Sequence, residues 1–305
     1  RSLSAGRHRL TRGLVVAEVA LATTLLIGGG LLMRSYLSLA RVDTGFDARD
    51  VLTFQITSPE TTTPEEQRVR AELLVSALAS APGIDAAAYG RQLPLVQLQD
   101  SITLMTARNG VEQPVGEAPD IRMVSRDYVR TMGMRVLRGR GFLATDDTGR
   151  PPVMLINDAL AARDFPRRDP IGTLVRMGTP PRATAFEIVG IVSSVRQRGL
   201  DRAPQPQAFI DFRQVAGDGW TPPPLFPVGA YYAVRATAGT TTTIDRIRTA
   251  LAQVDPQARV DNVATMEQIV ANSIVQPRLN AILLGFFAVV AAGLAAVGLY
   301  GTVSY

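Results

Sequence analysis

Two uninterrupted apolar runs bracket this chain and constrain everything between them. The first is GLVVAEVALATTLLIGGGLLM at residues 13–33, and the second is AILLGFFAVVAAGLAAVGLYGTV at residues 281–303. Each has the length of about 20 residues that a helix needs to cross the hydrocarbon of a bilayer. Only a helix or a closed barrel satisfies its own backbone there, so each run is expected to be a transmembrane helix. The stretch between them, residues 34–280, is far too long for a connecting loop. It reads as a domain held outside the membrane and tied to it at both ends.

The side on which that domain lies follows from the flanking charges. Arg7, Arg9 and Arg12, with Arg1 and His8, crowd the start of the first run, whereas Arg34 and Arg41 on its far side are followed by Asp43 and Asp47. The positive-inside rule places residues 1–12 in the cytoplasm as a basic flank and the central domain in the periplasm or cell exterior. In a bacterium that membrane would be the inner one. A signal peptide is the competing reading, but the run is longer than a usual apolar core and no A-x-A-like site follows it. The basic flank suits anionic lipid headgroups as a partner; nothing points to nucleic acid.

Composition removes whole classes of chemistry. There is no Cys, and His8 is the one His. Disulfides, thiolate ligands, a histidine metal site and a Ser-His triad are therefore excluded. All 32 basic residues are Arg, so a phosphate loop of the Lys-containing kind cannot be built. Glu65-Glu66 and Asp146-Asp147 are sequence neighbours, which do not face one point. Asp146-Asp147 reads as a solvated loop pair or a cation site, and the Arg-rich 135–140 as a solvated edge. The expectation is a non-enzyme with no catalytic, cofactor-binding or metal-ligating residue and no cofactor.

The apolar runs carry small residues at helical spacing: Ala20, Thr24 and Gly28 in the first, Ala288, Ala292 and Ala296 in the second, with Gly285 and Gly293 on a neighbouring stripe. In lipid such residues let helices approach closely, which marks these eight as helix-packing candidates. Glu18 is the one acidic residue inside a run. It can snorkel, pair with Arg12 or a lipid headgroup, or serve a proton path.

Inside the central domain two β–α–β patterns stand far apart. Residues 51–57 alternate as a strand; TTTPEEQ then offers Thr63 as N-cap, Pro64 at the first position and Glu66 at the third. Val69, Leu73, Leu74, Ala77, Leu78 and Ala81 give the apolar face, Pro82-Gly83 ends the helix, and residues 84–89 read as a strand. The second pattern is a strand at 230–236, a Thr run at 240–243 as N-cap, apolar Ile244, Ile247, Leu251 and Val254, and a strand at 258–263. Together they predict a split, ferredoxin-like α/β subdomain of residues 51–90 and 230–265. Residues 91–229 form a β-rich insertion, with strands at 121–124, 153–156, 186–195 and 207–212. Short helices follow at 127–132 and, capped by Asn157, at 159–165. Residues 220–227, WTPPPLFP, read as a loop. Residues 34–50 serve as a stalk after the first span. Residues 266–280 are amphipathic and either continue the second span outward or lie at the interface.

The order of segments resembles a known family. VDTGFDARDVLTF, APGI, YVRTMGMRVLRGRGF, NDALAARDFPRRDPIGTLVRMG, FEIVGIVSSVRQRGLD and VQPRLNAILLGFFAVVAAGLAAVGLYGTVSY follow one another as in the MacB/FtsX-like permeases, especially the acidobacterial duplicated orphan permeases. The resemblance implies an α+β membrane protein in which two transmembrane helices flank a periplasmic domain. That domain would join a porter-like part to an inserted β-rich, Sabre-like part. It further implies a type VII ABC transporter, with a separate cytosolic ATPase and other permease helices or a second permease copy as partners. The ATPase would drive the periplasmic domain by mechanotransmission, for efflux or extraction. Two further spans are expected beyond residue 305. The alternative is a two-span sensor with an extracytoplasmic ligand-binding domain.

Overall fold

The computed structural model describes residues 2–57, 64–96, 104–108, 111–114, 117–147, 149–177, 184–214, 231–237 and 239–303. The expected cap at Thr63 and the loop at 220–227 lie outside them. The chain runs α1 (Ser2–Leu39), β1 (Val51–Thr57), α2 (Pro64–Ser80), β2 (Ala86–Gly90), β3 (Leu104–Arg108), β4 (Val111–Pro114) and β5 (Asp120–Val124). Next come α3 (Tyr128–Thr131), β6 (Val136–Gly139), β7 (Val153–Asn157), α4 (Asp158–Asp164), β8 (Leu174–Met177), β9 (Thr184–Val192) and β10 (Gln207–Asp211). It closes with β11 (Tyr231–Arg235), α5 (Thr240–Val254), β12 (Arg259–Thr265), α6 (Met266–Ser273) and α7 (Val275–Val303). These elements form two compact units, one of α1 with α7 and one of Asp43–Val270.

In the first unit both long helices are apolar and long enough to cross a membrane, over Val15–Leu39 and Val275–Tyr300. They pack against each other. The less exposed residues recur three and four apart: Val15, Glu18, Ala22, Leu25 and Gly29 on α1, and Ala281, Leu284, Ala288, Ala291, Ala295 and Gly298 on α7. This is the spacing of a coiled-coil seam. The backbones approach closely at Gly29, where a Cβ would lie 3.5 Å from the Cα of Gly285. Pro277 stands in the first turn of α7, where a missing N–H leaves no bond unmade. Helix α1 runs well past residue 33, so the expected stalk begins as helix; residues 43–50 belong to the other unit. The expected amphipathic helix over 266–280 is likewise two pieces, broken between Ser273 and Val275.

The second unit is built on one continuous sheet, ordered β12-β1-β11-β2-β5-β10-β7-β9-β8-β3-β4, with β6 on β9. Its first four strands are mutually antiparallel, the arrangement a split β–α–β repeat produces. Helices α2 and α5 pack on each other and cover the core of Phe54, Leu74, Leu78, Tyr89, Phe212, Tyr232, Ile247 and Leu251. The buried face of α2 is Ala71, Leu74, Leu78 and, beyond its end, Ala81; Val69 and Leu73, expected on that face, are exposed. The Thr run begins α5 itself: Gly239 is the N-cap, no side chain caps it, and Thr243 is buried. Asn157 does cap α4, its side-chain oxygen accepting from Leu160 N at 2.9 Å.

The insertion joins this sheet by the pairing of Gly90 with Val124. Arg122, buried beside that junction, donates to Asp120 and to Gln92. Strand β9 is the insertion's spine, with β7 on one side and β8 and β6 on the other. Its Gly190 follows a bulge opposite Met154/Leu155 and lies where a Cβ would meet Arg140 O at 2.1 Å. Strand β6 carries the Arg-rich segment and is exposed throughout.

Candidate functional site

The segment after α1, Asp43-Thr44-Gly45-Phe46-Asp47-Ala48-Arg49-Asp50, is stitched into the second unit at nearly every residue. Asp43 Oδ1 accepts from Gly45 N at 2.9 Å, which closes a tight turn. Gly45 has φ +81°, and a Cβ there would sit 1.9 Å from Ser194 O. Only glycine fits. Around it Arg196 N donates to Thr44 O at 3.0 Å and Ser193 Oγ to Gly45 O at 3.3 Å. Asp47 N donates to Met132 O at 3.0 Å, and Gly133, at φ +63°, makes room for Asp47.

Arg235 of β11 binds this turn to its surroundings. Its guanidinium donates to Asp47 O at 2.9 Å, to Arg49 O at 2.7 Å and to Thr131 O at 3.1 Å. A planar fork with five donors is suited to gathering three carbonyls. Arg49 forms a two-pronged pair with Asp47, at 3.0 and 2.9 Å, and holds the Asp47 carboxyl below its ordinary value. That pair is exposed and contributes little to stability.

The segment before α7 is anchored at the same place. Thr265 and Gln268 form a reciprocal capping box, with bonds of 2.9 and 3.1 Å, that starts α6. Met266 is fully buried, and Ile269 and Val270 pack beside it. Phe46 and Met266 thus share one apolar cluster, with Ala48 against it. The same cluster holds Val51, Ala88 and Ala233 from the ferredoxin-like half and Val153, Leu155, Val192 and Phe209 from the insertion. Sequence reasoning took residues 34–50 as a stalk and missed this hub. Its signal was an aromatic after Gly in an acidic turn, and T-x-x-Q before α6.

The helix-packing candidates divide. Ala288 is buried in the helix pair, and Gly28, Gly285 and Ala292 are half-buried; a Cβ on Gly28 would meet Leu284 Cδ2 at 3.3 Å. Ala20, Thr24, Gly293 and Ala296 are exposed on the pair. The backbones of Arg7, Arg9 and Arg12 lie within α1.

Asp146 is neither solvated nor open to a cation. It is buried, takes two bonds from Arg140 at 2.7 and 3.1 Å, and accepts from Leu143 N. Asp147 closes a turn on Gly149 N, and Glu65 pairs with Arg68. Among the described residues no group of three metal-binding side chains assembles. Asp211 and Arg213 form a buried pair; burial pushes the carboxyl up more than the guanidinium lowers it. Burial also pushes Tyr128 up to about 12 and raises Tyr89 and Tyr232. A cleft between α2 and the turn before α3, lined by Glu72, Ser76, Arg126 and Asp127, has a volume of about 70 Å³. Ligand sites occupy roughly 300–1,000 Å³, so it has room for water and not for a substrate.

Comparison with known proteins identifies this architecture. No curated protein sequence matches the chain. Among solved structures it is similar to the periplasmic region of MacB from Actinobacillus actinomycetemcomitans, at 11% identity and TM-score 0.49 over 77% of this chain and 97% of that one. It is also similar to the extracellular domain of the noncanonic ABC-type transporter YknZ from Gram-positive bacteria, at 13% identity and TM-score 0.42 over 69% and 100%. A domain described as that of a permease from Porphyromonas gingivalis aligns at 11% identity and TM-score 0.45 over 72% and 92%. The family model of the MacB-like periplasmic core domain matches residues 13–266, most of the length, and the chain therefore belongs to that family.

Proposed function

We propose that this chain is a permease segment of a type VII, MacB/FtsX-like ABC transporter of the bacterial inner membrane. A separate cytosolic ATPase hydrolyses ATP, and α1 and α7 transmit the resulting motion to the periplasmic unit, which displaces or extracts a substrate. The chain carries no chemistry of its own; its work is mechanical. One observation supports this most directly: the segments that follow α1 and precede α7 are built into one apolar cluster shared by both halves of the sheet. Close-packed interiors transmit strain, so displacement of either segment is delivered to the whole unit.

Because the sequence has no Cys, a single fluorophore can be placed at exposed Leu73→Cys without background. In membranes holding the full chain and its ATPase, ATP is expected to change that signal. Gly45→Ala should suppress the change while ATP hydrolysis continues. Indifference to ATP, with a response to an added extracytoplasmic solute, would replace this reading with the two-span sensor.

A further inference from the structure

One side of β9 is only half extended. Strand β7 pairs along its first side, over residues 187–192. On the second side β8 takes residues 184–187 and β6 takes residues 190–192, end to end. Strand β3 carries the sheet on beyond β8. Among the described residues no strand does the same beyond β6, which pairs with β9 alone. All four residues of β6 are exposed, Val136 by 43% and Leu137 by 44%. The outer edge of such a strand presents N–H and C=O groups ready to pair with another chain.

The surroundings of this edge are positively charged. Arg135 precedes β6, Arg138 lies within it and Arg140 follows it. Asp169 matches Arg138, and Asp146 matches Arg140. The turn that supplies Asp169 lies against β6, since a Cβ on Gly139 would be 3.0 Å from Ile171 Cδ1. That turn adds Arg167 and Arg168, both exposed. Arg168 rests over the Phe165 ring, 4.9 Å from its centre. Among the described residues no carboxylate pairs with Arg135, Arg167 or Arg168.

We infer that the outer edge of β6 binds an extended, acidic polypeptide segment, which adds to the sheet as a further strand. In this mode backbone bonds supply affinity and the alternating side chains supply specificity. Charge decides between occupants. A second copy of this chain would set the arginines of one β6 against those of another, and like charges directly opposite destabilise a strand pair. An acidic strand meets the same arginines favourably, and its apolar residues cover Val136 and Leu137. The arginines therefore oppose self-association, the ordinary hazard of an open edge, and select a partner of opposite charge.

The test uses the full chain in nanodiscs of phosphatidylcholine, whose headgroup carries no net charge. The probe is a short, end-capped, fluorescently labelled peptide of alternating Glu and Val, followed by anisotropy. It should bind saturably and slow amide exchange at residues 136–139. Added salt should weaken it, because the charges face solvent. The same peptide with Lys in place of Glu should not bind. Nor should a version methylated at every backbone nitrogen, which keeps the charge but cannot pair as a strand. Arg135→Ala with Arg138→Ala should weaken binding about twofold to thirtyfold, the range for two exposed charge pairs. Equal binding of the methylated peptide would mean charge attraction without strand addition and would overturn the proposal. Absence of saturable binding, equal binding of the Lys peptide, or protection confined to residues outside β6 would overturn it as well. The peptide comparisons use the unaltered chain, so they decide the matter even where the double variant does not fold.

Discussion

Replacing Gly45 by Ala separates the cost of a backbone conformation from the cost of losing an anchor. A left-handed φ costs an L-residue roughly 1–2 kcal/mol. At Gly45 that is only part, because the new Cβ would sit 1.9 Å from Ser194 O and one of the two segments must move. Movement breaks the bonds from Arg196 N to Thr44 O and from Ser193 Oγ to Gly45 O. At about 0.5–1.5 kcal/mol each, the total reaches roughly 2–5 kcal/mol. Gly172 provides the control: its φ is +80°, and nothing lies within 4 Å of its Cβ site. Gly172→Ala should cost only the conformational part. In a unit of this size 1 kcal/mol shifts the melting temperature by about 2–4 °C. Gly45→Ala should therefore melt clearly below Gly172→Ala, by calorimetry of the full chain in nanodiscs. Its amide exchange should accelerate first at residues 44–50 and 193–196. Equal melting temperatures with unchanged exchange at those residues would refute the anchor.

Three further outcomes follow from the packing and charges. Leu74→Ala or Leu78→Ala should destabilise by about 2–5 kcal/mol, and Leu73→Ala by under about 0.5 kcal/mol, in urea unfolding; the reverse order would restore the α2 face expected from sequence. The neutral Tyr128 phenol is favoured in the folded state, whose value is about 12 against an ordinary 10.0. Its contribution is intact below pH 10 and disappears as pH rises toward 12. With no Lys to deprotonate, unfolding in that window should coincide with tyrosinate absorbance, and Tyr128→Phe should move it upward. Asp146→Asn should destabilise by about 1–3 kcal/mol by leaving Arg140 and Leu143 N poorly matched, and calcium should not shift the melting temperature of the unaltered protein. A calcium-dependent shift abolished by Asp146→Asn would count against a purely structural role.

Periodicity and caps revealed elements whose reasons are local. The two β–α–β units were legible because β1 alternates and Asp255-Pro256 stops α5. The α2 face was misread because Val69 and Leu73 are as apolar as Leu74 and Leu78, and only the partner helix decides which stripe is covered. The short strand β8 went unread; its alternating burial of Val175 and Met177 depends on β9 and β3. Asp146 was taken for an ordinary loop acid, since its partners Arg140 and Leu143 form a turn that no propensity specifies. The hub escaped for the same reason: Gly45, Ser194 and Arg235 meet only after the sheet has formed.

The three-and-four spacing along the α1–α7 seam restricts how these helices can slide. Side chains meshed in this way interlock again only after a full turn, about 5.4 Å of travel. At Gly298 a Cβ would lie 2.8 Å from Glu18 Oε2, and a slip in the direction of Ala295 would set the acid against a buried methyl group instead. One register receives the acid and the next does not. Lengthwise travel of one span past the other is thus indexed, with a detent at a single position.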